Sequence, residues 1–172
     1  MLEYLRRNVP ITELSNYKTP AMTSYFFEIS SSQDLEKLPE IYTWSQNEEI
    51  PVLIVSGGTN MLFAFDKYPG VIVHNKLSGW NYDVQNQRLF TYGSESIWNI
   101  AEVLEKKYNQ DLWHRFIGLP GSIAGAVYGN AGCFGLEVEN NFLSCEVLDI
   151  YSGNISILDK RDMDFSYRYS IL

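Results

Sequence analysis

Between Gly118 and Gly135 the chain reads GLPGSIAGAVYGNAGCFG, eighteen residues with six glycines, three alanines and one proline. A stretch with so little side-chain bulk cannot build a core of its own, but it lets another body come close to the backbone. That body is either a packed helix-on-sheet neighbour or a ligand. Packing needs small residues on one face only and leaves the flanking glycine turns without purpose, so the run favours a ligand. Gly121-Ser122, with Pro120 setting the entry, reads as the start of a short helix whose N-terminal amides would face an anion.

A second glycine segment lies earlier. Pro51-Val52-Leu53-Ile54-Val55 is a continuous apolar run of strand length, read as a buried strand, and it ends at Ser56-Gly57-Gly58-Thr59-Asn60. Glycines after a strand allow positive φ, and consecutive N–H groups can then point at phosphate oxygens while Thr59 and Asn60 add side-chain contacts. The string is neither GxGxxG nor a Walker loop, and a plain turn would also account for it.

The remaining pattern predicts small strands and helices in mixed order. Tyr25 to Ile29 reads as a strand, followed by a helix over 33–44 capped from Ser30-Ser31-Ser32. Gly70 to His74 is a further strand, and 82–84 with 88–92 form a hairpin around Gln85-Asn86-Gln87. Ile97, Ile100, Ala101, Val103, Leu104 and Tyr108 recur at helical spacing, predicting an amphipathic helix that ends near Asn109. Residues 145–150 and 155–158 flank Ser152-Gly153-Asn154 as a second hairpin. This order implies an α+β fold, with a first lobe over 1–75 and a second over 76–172.

The net charge is -8, with no basic run beyond Arg6-Arg7 and Lys106-Lys107. That balance argues against nucleic acid or an anionic membrane as partner. A phosphate-bearing ligand would have to be held mainly by backbone N–H groups. The two cysteines, Cys133 and Cys145, have no CxxC spacing and the two histidines, His74 and His114, are far apart, so no metal site is expected. Two reduced thiols in a cytoplasmic protein are favoured over a disulfide. The first residues carry no signal-like apolar run, and a soluble protein is expected.

SGGTNML resembles the GGGSN(L/V)L loop, and GLPGSIAGAVYGNAG the GIPGTVGGAxxxNAG segment, of the UDP-N-acetylenolpyruvoylglucosamine reductases. Order and separation agree. Phe165-Ser166-Tyr167-Arg168-Tyr169-Ser170 is similar to the family's FxYRxS motif, and Asn8-Val9-Pro10-Ile11 to its NVPL entry. The resemblance spans essentially the whole chain. It implies the two-lobed flavin fold of the vanillyl-alcohol-oxidase or PCMH type, with FAD between the lobes. Gly57, Gly58, Thr59, Asn60 and Met61 would cradle its pyrophosphate. Gly93 and Ser94 would add backbone contacts, and Gly118, Pro120, Gly121, Ser122, Gly125, Ala126, Asn130 and Gly132 would line the rest of the cofactor.

By the same resemblance NADPH is the hydride donor and an enolpyruvyl nucleotide sugar the substrate. Arg168 is the catalytic residue, placed beside the substrate carboxylate with Tyr167 next to it. No His or Cys occurs between Ser56 and Asp66, so FAD is expected to be non-covalent. In the family a further substrate-binding domain supplies a serine acid and a late glutamate. This sequence ends at Leu172, and the chain alone is expected not to turn over. Pro20-Ala21, His114 and Ala124 depart from the family pattern, which bears on the individual FAD contacts. Other readings are another oxidoreductase of the same flavin fold, or a binding module that has lost FAD.

Overall fold

The computed structural model describes residues 2–172. The chain divides into two compact units, Met1–Leu77 with Leu148–Ser156, and Ser78–Val147 with Ile157–Leu172.

The first unit is built on a four-stranded sheet. Its elements in chain order are β1 (Arg6–Pro10), β2 (Met22–Ile29), α1 (Ser32–Leu35), α2 (Leu38–Asn47), β3 (Val52–Val55) and β4 (Lys67–Asn75), and the spatial order of strands is β1-β2-β4-β3. β1 pairs antiparallel with β2, while β4 lies parallel between β2 and β3. Residues Val71, Ile72 and Val73 of β4 are all buried to within 1% of full burial. Successive strand residues point to opposite faces, so this run fills two cores at once. Val71 and Val73 join Leu5, Phe27, Ile29, Leu38 and Ile41 on one face, and Ile72 joins Ile11, Ala21, Phe26, Val55 and Phe63 on the other.

Two expectations are corrected here. The helix expected over 33–44 is two helices, because Pro39 lacks an N–H and its ring clashes with a preceding turn; it is tolerated only in the first turn of a new helix. The run Val52–Val55 is an edge strand, not a buried one, and Ile54 is 50% exposed. An apolar run of strand length does not reveal which neighbour covers it.

The second unit contains β5 (Trp80–Asp83), β6 (Arg88–Thr91), α3 (Ile97–Tyr108), α4 (Ile123–Tyr128), β7 (Gly132–Cys133) and β8 (Leu136–Glu137). Strands β9 (Ser144–Leu148) and β10 (Ile155–Asp159) pair with each other. The Ser96 hydroxyl accepts from the Asn99 N–H to start α3, and Asn109 at φ 53° ends it, as its amphipathic spacing predicted. Ile97, Ile100, Ala101 and Leu104 bury that face against Phe116, Ile123, Ala126 and Val138. Both cysteines are free. Among the described residues no helix is long and apolar enough to cross a membrane.

Candidate functional site

In the first unit the glycine loop leaves the carboxyl end of β3, which is where open sheets with parallel strands present ligand-binding loops. Gly57 and Asn60 are exposed, and Thr59 and Met61 are half-buried. Gly58 has φ +60°, and a methyl built on it would land on the carbonyl oxygen of Leu14. Glycine at 58 is therefore demanded by the fold's own backbone, which must pass close to it. The Ser15 hydroxyl holds the far side of the loop by donating to the Met61 carbonyl. At the loop's base the Ser56 hydroxyl is buried and has no hydrogen-bond partner. Such a group costs stability unless something else pairs with it. Sequence reasoning did not single out Ser56, because nothing in the string marks a hydroxyl as unpaired.

Beside it, the His74 ring lies 3.7 Å from Glu28 and makes a backbone hydrogen bond to Ser56. Burial pushes its pKa below the ordinary 6.5 despite the opposing pull of Glu28, and Lys76 acts in the same direction as burial.

In the second unit Gly118 has φ +90° and faces open space, with no atom beyond its chain neighbours within 4 Å of where a side chain would begin. Pro120 and Gly125 are exposed, and Gly93, Ser94, Gly121 and Gly132 are half-buried. The expectation that the first amides of α4 face an anion is corrected. The Ile123 N–H donates to the Glu95 carbonyl at 2.8 Å and the Ala124 N–H to the Gly93 carbonyl at 2.7 Å. The Gly125 N–H is capped by the Ser122 hydroxyl. These donors are satisfied inside the protein. Ser122 and Ala126 are buried in the same packing, at 5% and 6% exposure.

Asn130 is also interior, with no exposed surface. Its Nδ2 donates to Glu137 and to the Ser166 carbonyl, and its Oδ1 accepts from the Glu139 N–H. The family-like FSYRYS string forms a tight turn in which Ser166 and Tyr169 exchange backbone hydrogen bonds of 3.1 and 3.0 Å. Tyr167 and Arg168 stand exposed at its tip. Arg168 has φ 58°, its Nη2 donates to the Gly132 carbonyl at 3.2 Å, and its guanidinium lies 5.0 Å from the Tyr167 ring centroid. With Gly132 to Glu137 the two residues line a concavity of about 240 Å³. His114, the family departure, pairs with Glu105 at 2.7 Å.

Residues 29–159 match the FAD binding domain family. The chain belongs to that family. It is 27% identical over 170 residues to the UDP-N-acetylenolpyruvoylglucosamine reductase of Synechococcus sp. (strain RCC307), covering 98% of this chain and 54% of that protein. It is 35% identical over 144 residues to the reductase of the same name from Caldanaerobacter subterraneus, covering 80% of this chain and 44% of that one. The structure of UDP-N-acetylenolpyruvylglucosamine reductase from Thermus caldophilus superposes with a TM-score of 0.74 at 17% identity, over 98% of this chain and 58% of that one. The chain thus spans about half the length of the curated relatives it matches. The α+β flavin fold expected from the motifs is borne out, and so is the resemblance to these reductases.

The residues present fit FAD. Ser56 offers a buried hydroxyl donor that lacks a protein acceptor, as a phosphate oxygen requires. Gly57 and Asn60 of the same loop are exposed.

Proposed function

We propose that this chain is the FAD-binding portion of an NADPH-dependent reductase that converts enolpyruvyl-UDP-GlcNAc to UDP-N-acetylmuramate, a cytoplasmic step in peptidoglycan precursor synthesis. The observation that carries the reading is the Arg168 tip: a guanidinium held at a carbonyl, beside a concavity, in a chain similar over nearly its full length to reductases of that name.

Ser56, Gly57, Thr59, Asn60 and Met61 would hold FAD in the first unit, and Gly93, Ser94, Gly118, Pro120, Gly121, Gly125 and Gly132 in the second. Bound FAD supplies a two-electron centre that can take a hydride from NADPH and pass it to a carbon–carbon double bond. Arg168 pairs bidentately with the substrate carboxylate and stabilises the enolate-like charge that grows on it. The Tyr167 ring stacks against the guanidinium and limits its swing.

Titration of the purified chain with FAD, followed by the flavin absorbance bands, tests the reading. Stoichiometric uptake is expected. A colourless protein that takes up no FAD overturns it.

A further inference from the structure

Asn130 combines three features. It is fully buried, it occupies the left-handed region at φ 38°, and its side-chain hydrogen bonds tie together two segments, 137–139 and Ser166. Nδ2 donates at 3.1 Å to the Glu137 carboxylate and at 3.1 Å to the Ser166 carbonyl, while Oδ1 accepts at 3.1 Å from the Glu139 N–H. Glu137 belongs to the β7–β8 hairpin and Ser166 is the first residue of the Tyr167-Arg168 turn. These two segments are the walls of the concavity of about 240 Å³.

The turn is gripped at both ends by the same piece of chain. The Ser170 hydroxyl donates to the carbonyl of Tyr128, the last residue of α4, at 2.8 Å. Asn130, two residues later, holds Ser166. Between these anchors the backbone places Arg168 at φ 58°, and its guanidinium reaches the Gly132 carbonyl across the concavity. An exposed arginine on a free loop would sample many orientations, whereas one whose turn and opposite wall share a buried clamp has few.

We infer that Asn130 is a positioning residue: through the Ser166 carbonyl and the Glu137 carboxylate it sets where Arg168 presents its guanidinium to a substrate carboxylate. The inference rests on the reading that Arg168 meets that carboxylate. Asparagine suits the task because it alone offers two N–H donors and an acceptor at this length; aspartate is isosteric but has no donor when ionised.

The test uses the protein expressed from its complete gene, loaded with FAD, in four forms: wild type, Asn130→Asp, Arg168→Gln and the double variant. The dissociation constant for the enolpyruvyl nucleotide sugar is measured by calorimetry without NADPH at about pH 9, where a carboxylate is ionised. Displacing a binding group by about 1 Å is enough for a large loss. Asn130→Asp is therefore expected to weaken substrate binding about tenfold or more, with FAD affinity held within about twofold. The double variant is expected to bind no more weakly than Arg168→Gln alone.

At about pH 5 the Asn130→Asp protein should regain part of its affinity. Its new carboxyl, crowded by Glu137, takes up a proton there and can donate again. Wild-type affinity in Asn130→Asp at about pH 9, or full additivity in the double variant, overturns the inference. If Arg168→Gln binds substrate normally, the proposed function fails instead. Should Asn130→Asp not fold, Asn130→Ser, whose hydroxyl falls one atom short of the Nδ2 position, is measured in its place and is expected to weaken substrate binding as well; wild-type affinity in that protein also overturns the inference.

Discussion

The Asn130 Nδ2 and the Ser166 carbonyl oxygen lie 3.1 Å apart across 36 residues of sequence. That bond is one of three made by a side chain with no solvent access, so water cannot replace it without entering the packing. Asn130→Ala leaves a carbonyl, a carboxylate oxygen and an amide short of a partner and puts alanine at a positive φ that asparagine tolerates better. The chain is expected to lose about 2–4 kcal/mol of stability by urea unfolding. A loss below about 1 kcal/mol would mean that these hydrogen bonds are readily replaced.

Gly58 gives a prediction of another kind. A methyl at this position meets the Leu14 carbonyl oxygen, and φ +60° is a conformation that alanine adopts at a penalty. Gly58→Ala should destabilise the first unit by about 2–5 kcal/mol. FAD uptake should fall with the folded fraction and not independently of it. Circular dichroism and flavin absorbance recorded on the same samples decide this: normal folding with lost FAD uptake would place the role of Gly58 at the ligand.

Local chemistry explains what was readable from the sequence. Helix α3 was legible because its apolar spacing, the Ser96 cap and Asn109 all agree. The hairpin around Gln85-Asn86-Gln87 was legible because turn residues separate two β-prone arms. The parallel placement of β4 between β2 and β3 was not, since strand order depends on which faces bury together and not on any one string. Within the candidate site, the motifs single out Arg168, Gly57 and Gly118, all of which stand exposed in the structure. The motifs also single out Asn130, Ser122 and Ala126, whose side chains are buried in the second unit. The partners that absorb Asn130 are seven, nine and 36 residues away, beyond any local pattern. Ser56 was passed over for the opposite reason, because its significance is a missing partner.

His74 should make the chain sensitive to mild acid. Burial lowers its folded pKa below 6.5, outweighing Glu28. Between the folded value and 6.5 the unfolded chain binds more protons than the folded one, so stability rises with pH across that window and falls on acidification. The urea midpoint is expected to drop as pH falls from about 8 to about 5, a range chosen to stay above most carboxylate titrations. His74→Gln should flatten that slope. The same slope in both proteins would show that His74 keeps its ordinary affinity for protons in the fold.

Ser56 separates a role in the fold from a role toward the cofactor. A buried hydroxyl with no partner is a liability to the chain without ligand. Ser56→Ala should therefore leave the FAD-free chain as stable as before, or more stable by up to about 1 kcal/mol. If the hydroxyl donates to a phosphate oxygen, its removal costs a charge-assisted hydrogen bond, and FAD affinity should fall about tenfold. Urea unfolding of the FAD-free chain and a fluorescence titration with FAD give the two numbers. Unchanged stability with weakened FAD binding is the expected pair. A loss of stability with unchanged FAD affinity would instead make Ser56 a packing residue of the loop, and the phosphate contact would then fall to Gly57, Thr59 and Asn60.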